Sequence, residues 1–131
     1  MKVRYSYLRQ QFSNCPDLWI KLKKFVRTGD FTLGKPLEDF EKNFARLMKV
    51  KYAIGVNSGT DAIKLSLKVL GVRSGDEVIT AANTFVATVG AITELGAIPV
   101  FVDCDETFCI NTSLVEKKIT KKTKEIGRAH V

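Results

Sequence analysis

The stretch GVNSGTDAIKLS, residues 55–66, directly follows the apolar run KYAI at 51–54. Such a sequence ends a strand, tightens through Ser58, Gly59 and Thr60, and starts a helix. The first N–H groups of a helix have no partner within it and carry partial positive charge, so an open N-terminus suits an anion, most often a phosphate. Gly59 has no side chain to keep a ligand from the backbone, and Ser58 or Thr60 can cap the helix or offer a hydroxyl. An ordinary capped helix reads the same from this stretch alone. Neither G-x-G-x-x-G nor G-x-x-x-x-G-K-[ST] occurs in the chain. A phosphate here would therefore be held by backbone and hydroxyl groups, without a lysine.

A second stretch, AANTFVAT at 81–88, has the same grammar. Asn83 or Thr84 can cap the next helix, which leaves Phe85 in its first turn. An aromatic ring there could lie flat on a planar ligand, although a ring packed between helix and sheet is the plainer reading. Both stretches stand where open α/β sheets bind ligands, at the carboxyl ends of strands.

These sites need elements to position them. Pro16 starts one helix and Gly29 stops it, with Leu18, Leu22, Phe25 and Val26 as its apolar stripe. Pro36 opens another, with Glu38 and Asp39 at its positive end and Arg46 and Lys49 at the other. Leu37, Phe40, Phe44, Leu47 and Met48 are its expected buried face. The rhythm then changes. YAIGVN (52–57) predicts a strand, TDAIKLSLKVL (60–70) a helix stopped by Gly71, and SGD (74–76) a turn. EVITAA (77–82) and IPVFVD (98–103) predict two more strands around a helix at 84–95 that ends at Gly96. Strands alternating with helices of this length give βαβ units with right-handed crossovers. The expected fold class is α/β, a βαβαβ unit with a mostly parallel sheet preceded by two helices. Residues 1–50 form a helical segment and 51–124 an incomplete α/β domain.

Composition bounds the function. The chain has 131 residues, 45% of them hydrophobic, with a mean hydropathy near zero, which is enough to bury a core. No run reaches membrane-spanning length and the N-terminal residues lack a signal-peptide core, so a cytoplasmic location is expected, with no membrane partner. Cys15, Cys104 and Cys109 have no metal spacing, and reduced thiols fit better than a zinc site. The net charge of +7 divides into +5 over residues 1–30, −2 over 31–115 and +4 over 116–131. The basic excess sits at the two ends without interleaved aromatic residues, which reads as solvated surface and not as a nucleic-acid patch.

The two motifs, together with TGDFTLGKPLEDFEKNFA (28–45) and VKYAIGVNSGTDAIKLSLKVLGVRSGDEVITAANTFVATVGAITELGAIPVFVDCDE (50–106), resemble the start of a DegT/StrS-type nucleotide-sugar aminotransferase. The resemblance runs from about residue 5 to residue 124. It implies the large domain of the aspartate-aminotransferase-like fold, that of the fold-type I pyridoxal-phosphate enzymes. It assigns Gly59 and Thr60, with Ser58 and Asp61 beside them, to the phosphate of pyridoxal 5′-phosphate, and Phe85 to its pyridine ring. It places the FTLG segment (31–34) near the active site and the subunit interface of a homodimer. The implied reaction moves an amino group, commonly from glutamate, to a keto-sugar on a nucleoside diphosphate. The lysine that carries the cofactor and the acid that faces its ring nitrogen lie beyond this stretch in the family, so no catalytic residue is assigned here. Lys64 and Lys68 match neither. Related sugar dehydratases replace that lysine with histidine, and a cofactor-free regulatory relative is a more distant alternative.

After KTK the family pattern continues into another apolar strand, whereas this chain reads EIGRAHV (125–131). Glycine and arginine interrupt the apolar run, so the segment is read as a tail not native to the frame. One back-translation of it, GAG ATC GGA AGA GCA CAC GTC, resembles a sequencing-library adapter from its second base. A long read of the source DNA past the codon for Lys124 is expected to leave this string and continue as an apolar strand. A genomic read that carries these codons unchanged would overturn the expectation.

Overall fold

The change of rhythm near residue 50 is also where the structure divides. In the computed structural model, which describes residues 5–127, one unit runs up to Gly55 and a second begins at Val56. The first holds α1 (Leu8–Gln11), α2 (Pro16–Val26) and α3 (Lys35–Met48). Pro16 and Pro36 both stand in the first two helical positions, where a missing N–H removes no intrahelical bond. Asp17 and Glu38 occupy the first turns and Lys23, Lys24 and Arg46 the last, as the helix dipole favours. The α3 helix closes on Lys49 in the left-handed region (φ 53°), with the Val50 N–H donating to the Ala45 carbonyl at 3.0 Å.

The apolar stripes differ from expectation. Phe40 is 56% exposed and Leu47 75%, while Leu18, Leu22, Val26, Phe44 and Met48 are exposed too. Only Ala45 of α3 is buried. A helix face is buried only against a second apolar surface, and within this unit the rings meet chiefly their near neighbours. Phe25 meets Phe31 edge-on at 5.7 Å, and Phe40 stacks on Phe44 at 5.5 Å.

The strand expected at 52–57 is not a ladder either, and Tyr52 and Ile54 are exposed. A strand exists by pairing, and among the described residues nothing pairs with this segment. Its end is held to α3 instead. The Gly55 N–H donates to Glu41 Oε1 at 2.7 Å, and a Cβ on Gly55 would lie 2.6 Å from Leu37 Cδ1.

The second unit holds α4 (Gly59–Val69), β1 (Glu77–Ala81), α5 (Val86–Glu94), β2 (Ile98–Val102), α6 (Thr112–Val115), a 3₁₀ turn (Glu116–Lys118) and β3 (Thr123–Ile126). The sheet order is β2-β1-β3, both pairings are parallel, and the α/β expectation holds. Val78, Ile79, Thr80 and Ala81 are all buried, so β1 is covered on both faces, as a central parallel strand should be. Leu67, Val72, Val78, Ile92 and Ala97 form the core, with Ile63 and Leu95 packed against it. Each fully buried Val or Ile side chain contributes about 1.5–3 kcal/mol. The turns before β1 and β2 lock together. Gly75 N–H donates to the Gly96 carbonyl at 3.0 Å, and a Cβ on Gly96 (φ 71°) would meet Ser74 Oγ at 2.8 Å.

Glu77 fastens β3. Its N–H donates to the Lys122 carbonyl at 2.9 Å, and its Oε2 accepts the Thr120 hydroxyl at 2.6 Å. Glu125 and Ile126, the start of the segment read above as a tail, pair with Val78 and Ile79. The last four residues of that segment, 128–131, and the first four of the chain lie outside the described residues. No helix among the described residues is long and apolar enough to cross a membrane.

Two substitutions test this account. Ile92→Ala, at a side chain 1% exposed, is expected to lower the unfolding free energy by about 2–5 kcal/mol in a denaturant titration. Lys49→Gly, which relieves a left-handed residue, is expected to raise it by about 0.5–1 kcal/mol.

Candidate functional site

The start of α4 is built by Ser58. Its backbone is extended (φ −158°, ψ 168°), its Oγ accepts the Asp61 N–H at 3.1 Å, and its carbonyl accepts the Ala62 N–H at 2.9 Å. That N-cap engages the amides of Asp61 and Ala62. The amides of Gly59 and Thr60 have no protein partner among the described residues. Gly59 is the first helical residue and has no positive φ, so its conformation does not call for glycine. A Cβ built on it would meet nothing within 4 Å. The fold leaves open space beside Gly59, whose own amide is one of the two free donors.

Asp61 borders this opening without adding a donor to it. Its Oδ1 lies 2.9 Å from Lys64 Nζ, and the same ammonium lies 2.9 Å from Glu94 Oε2 at the end of α5. The Asp61 and Lys64 side chains are only 25% and 30% exposed. Hydrogen bonds from Lys64 first, and then from Asn57, hold the Asp61 carboxyl below its ordinary range. Glu94 first, and then Asp61, raise Lys64 above its own. Both groups are therefore charged at neutral pH. In the sequence Lys64 matches no catalytic position of the family. The three-residue spacing from Asp61 was a signal for that pair, but nothing local pointed to Glu94.

Phe85 forms the N-cap of α5 with extended backbone (φ −68°, ψ 144°), just past the carboxyl end of β1. Its ring is 67% exposed, so it is not packed between helix and sheet. Neither Asn83 nor Thr84 caps the helix; the Thr84 hydroxyl pairs with that of Thr88 at 2.9 Å. Both candidate stretches thus stand at N-termini of neighbouring helices, and α4 and α5 share the core through Leu67 and Ile92. In the first unit, Phe31 and Leu33 of the FTLG segment are exposed, and Leu33 has a φ of 51°. Among the described residues no group of His, Cys, Asp and Glu is placed to hold a metal, and the three cysteines are free thiols.

Known proteins resemble this chain in sequence and in fold. A dTDP-3-amino-3,4,6-trideoxy-α-D-glucose transaminase of Micromonospora megalomicea is 41% identical over 128 residues, covering 97% of this chain and 34% of the transaminase. The 3-oxo-glucose-6-phosphate:glutamate aminotransferase of Bacillus subtilis is 42% identical over 116 residues, which are 88% of this chain and 26% of that enzyme. The crystal structure of NtdA from Bacillus subtilis, with bound cofactor PMP, superposes with a TM-score of 0.82 at 43% identity, over 84% of this chain and 26% of that one. This chain therefore spans about a third or less of the length of these relatives. Residues 17–131 match the model of the DegT/DnrJ/EryC1/StrS aminotransferase family, and the chain belongs to that family.

Proposed function

We propose that the protein takes part in moving an amino group from glutamate to a keto-sugar carried on a nucleoside diphosphate, with pyridoxal 5′-phosphate held at the starts of α4 and α5. The observation that carries this reading is Gly59. It is a glycine that the backbone does not need, beside two unpaired amides and open space. A phosphate fits that opening, because helix N-terminal amides and the dipole behind them both favour a dianion. In this reading Gly59 and Thr60 donate to the phosphate, Ser58 fixes the turn that aims them, and Asp61 flanks them. The exposed Phe85 ring covers one face of the pyridine and keeps water off it. When bound, the cofactor supplies the electron sink for amino-group exchange.

The name of one relative, a transaminase of a dTDP-linked sugar, supports the substrate class, and that of another, which pairs a sugar phosphate with glutamate, supports the amino donor. A homodimer in the cytoplasm belongs to the same reading. The exposed apolar residues of α2 and α3, among them Trp19, Phe40 and Leu47, support it, because surfaces of this kind are usually covered by a partner.

Gly59→Ala separates the site from the fold. The added methyl meets nothing in the protein, so stability is expected to hold or to rise by up to about 1 kcal/mol, as read from thermal melts. The same methyl fills the approach to the amides, so calorimetric affinity for pyridoxal 5′-phosphate is expected to fall about tenfold or more. Phe85→Ala should also weaken binding with little loss of stability, given its exposure. Wild-type affinity in both variants would overturn the proposal.

A further inference from the structure

The Asp61–Lys64–Glu94 chain of ion pairs is not used by the reading above, on which the following inference rests. Asp61 is the residue next to Thr60, whose free amide is one of the two proposed donors. A carboxylate in the first turn is itself stabilised by the helix dipole, so it competes with any anion that arrives there. Neighbouring helical residues lie inside the screening length of about 8 Å at physiological salt, so salt screens the repulsion only in part. With its side chain only 25% exposed, Asp61 receives little help from water.

We propose that Lys64 is a positioning residue of this site. It holds the Asp61 carboxylate and cancels its charge, so that a phosphate dianion can occupy the amides of Gly59 and Thr60. Glu94 is the second half of the device. Gripped from both sides at 2.9 Å, the ammonium stays against Asp61 and does not swing out to the anion. Lys64 acts through Asp61, which agrees with a phosphate bound by backbone and hydroxyl groups alone. Glu94 ends α5, so the device also ties the helix that bears the phosphate donors to the one that bears Phe85.

The test uses the full-length protein with pyridoxine 5′-phosphate and pyridoxine. These probes differ only in the phosphate, and they lack the aldehyde that would condense with any lysine. Wild type is expected to favour the phosphorylated probe. Lys64→Met is expected to bind it about tenfold more weakly with pyridoxine binding unchanged, Lys64→Arg to stay near wild type, and Asp61→Asn/Lys64→Met to recover to within about twofold. Asp61→Asn alone keeps an unpaired carboxylate out of the site and should bind at least as tightly as wild type, even if Lys64→Met fails to fold. Undiminished binding by Lys64→Met, no recovery in the double variant, or a tenfold loss in Asp61→Asn would each overturn the role of Lys64. A wild type indifferent to the phosphate would overturn the phosphate site itself, and the role of Lys64 with it.

Discussion

Every ladder hydrogen bond in the sheet runs to or from β1. Its five residues pair with β2 on one edge, Glu77, Val78 and Ile79 pair with β3 on the other, and four of the five are fully buried. A strand so enclosed fixes much of what surrounds it. Val78 anchors the core that seats α4 and α5, Glu77 clamps the approach to β3, and the carboxyl end of the strand delivers Phe85. The position of the candidate site follows from this strand, because α/β sheets gather loops and helix starts at one end.

At that end two helix starts do different work. The first turn of α4 is capped by a side chain yet keeps two amides free, whereas α5 begins on an uncapped aromatic residue that faces solvent. The first arrangement suits charge and the second suits a flat apolar surface. A ligand with both features, a phosphate and an aromatic ring, satisfies the pair better than either feature would alone. The acidic and basic side chains around α4 sort themselves accordingly, with Lys64 spent on Asp61 and Glu94 and not left to compete for an anion.

The first unit shows the opposite balance. Helices α2 and α3 have prolines in their first turns and charges matched to their dipoles, so local chemistry accounts for where they begin and end. Their apolar faces are largely exposed all the same, which sets this unit apart from the enclosed core of the second. Amphipathic spacing predicts that a face will be buried, but not what buries it.

Much of this was legible in the sequence, and for local reasons. Pro16 and Pro36 marked helix starts, and Gly71, Gly75 and Gly96 marked turns that do take positive φ. The alternation of strands and helices gave the parallel sheet, and Ser58, Gly59 and Thr60 announced a helix start suited to an anion. These features depend on a few adjacent residues and survive translation into structure. The segment at 52–57 had the composition of a strand, yet it is none, because a strand is defined by a partner that its own residues do not specify. From the residues alone the ring of Phe85 read more plainly as core, and only the placement of β1 and α5 leaves it exposed. The pairing of Lys64 with Glu94, thirty residues away, was decided by the packing of α4 against α5 alone, since no local spacing brings two such distant side chains within 2.9 Å.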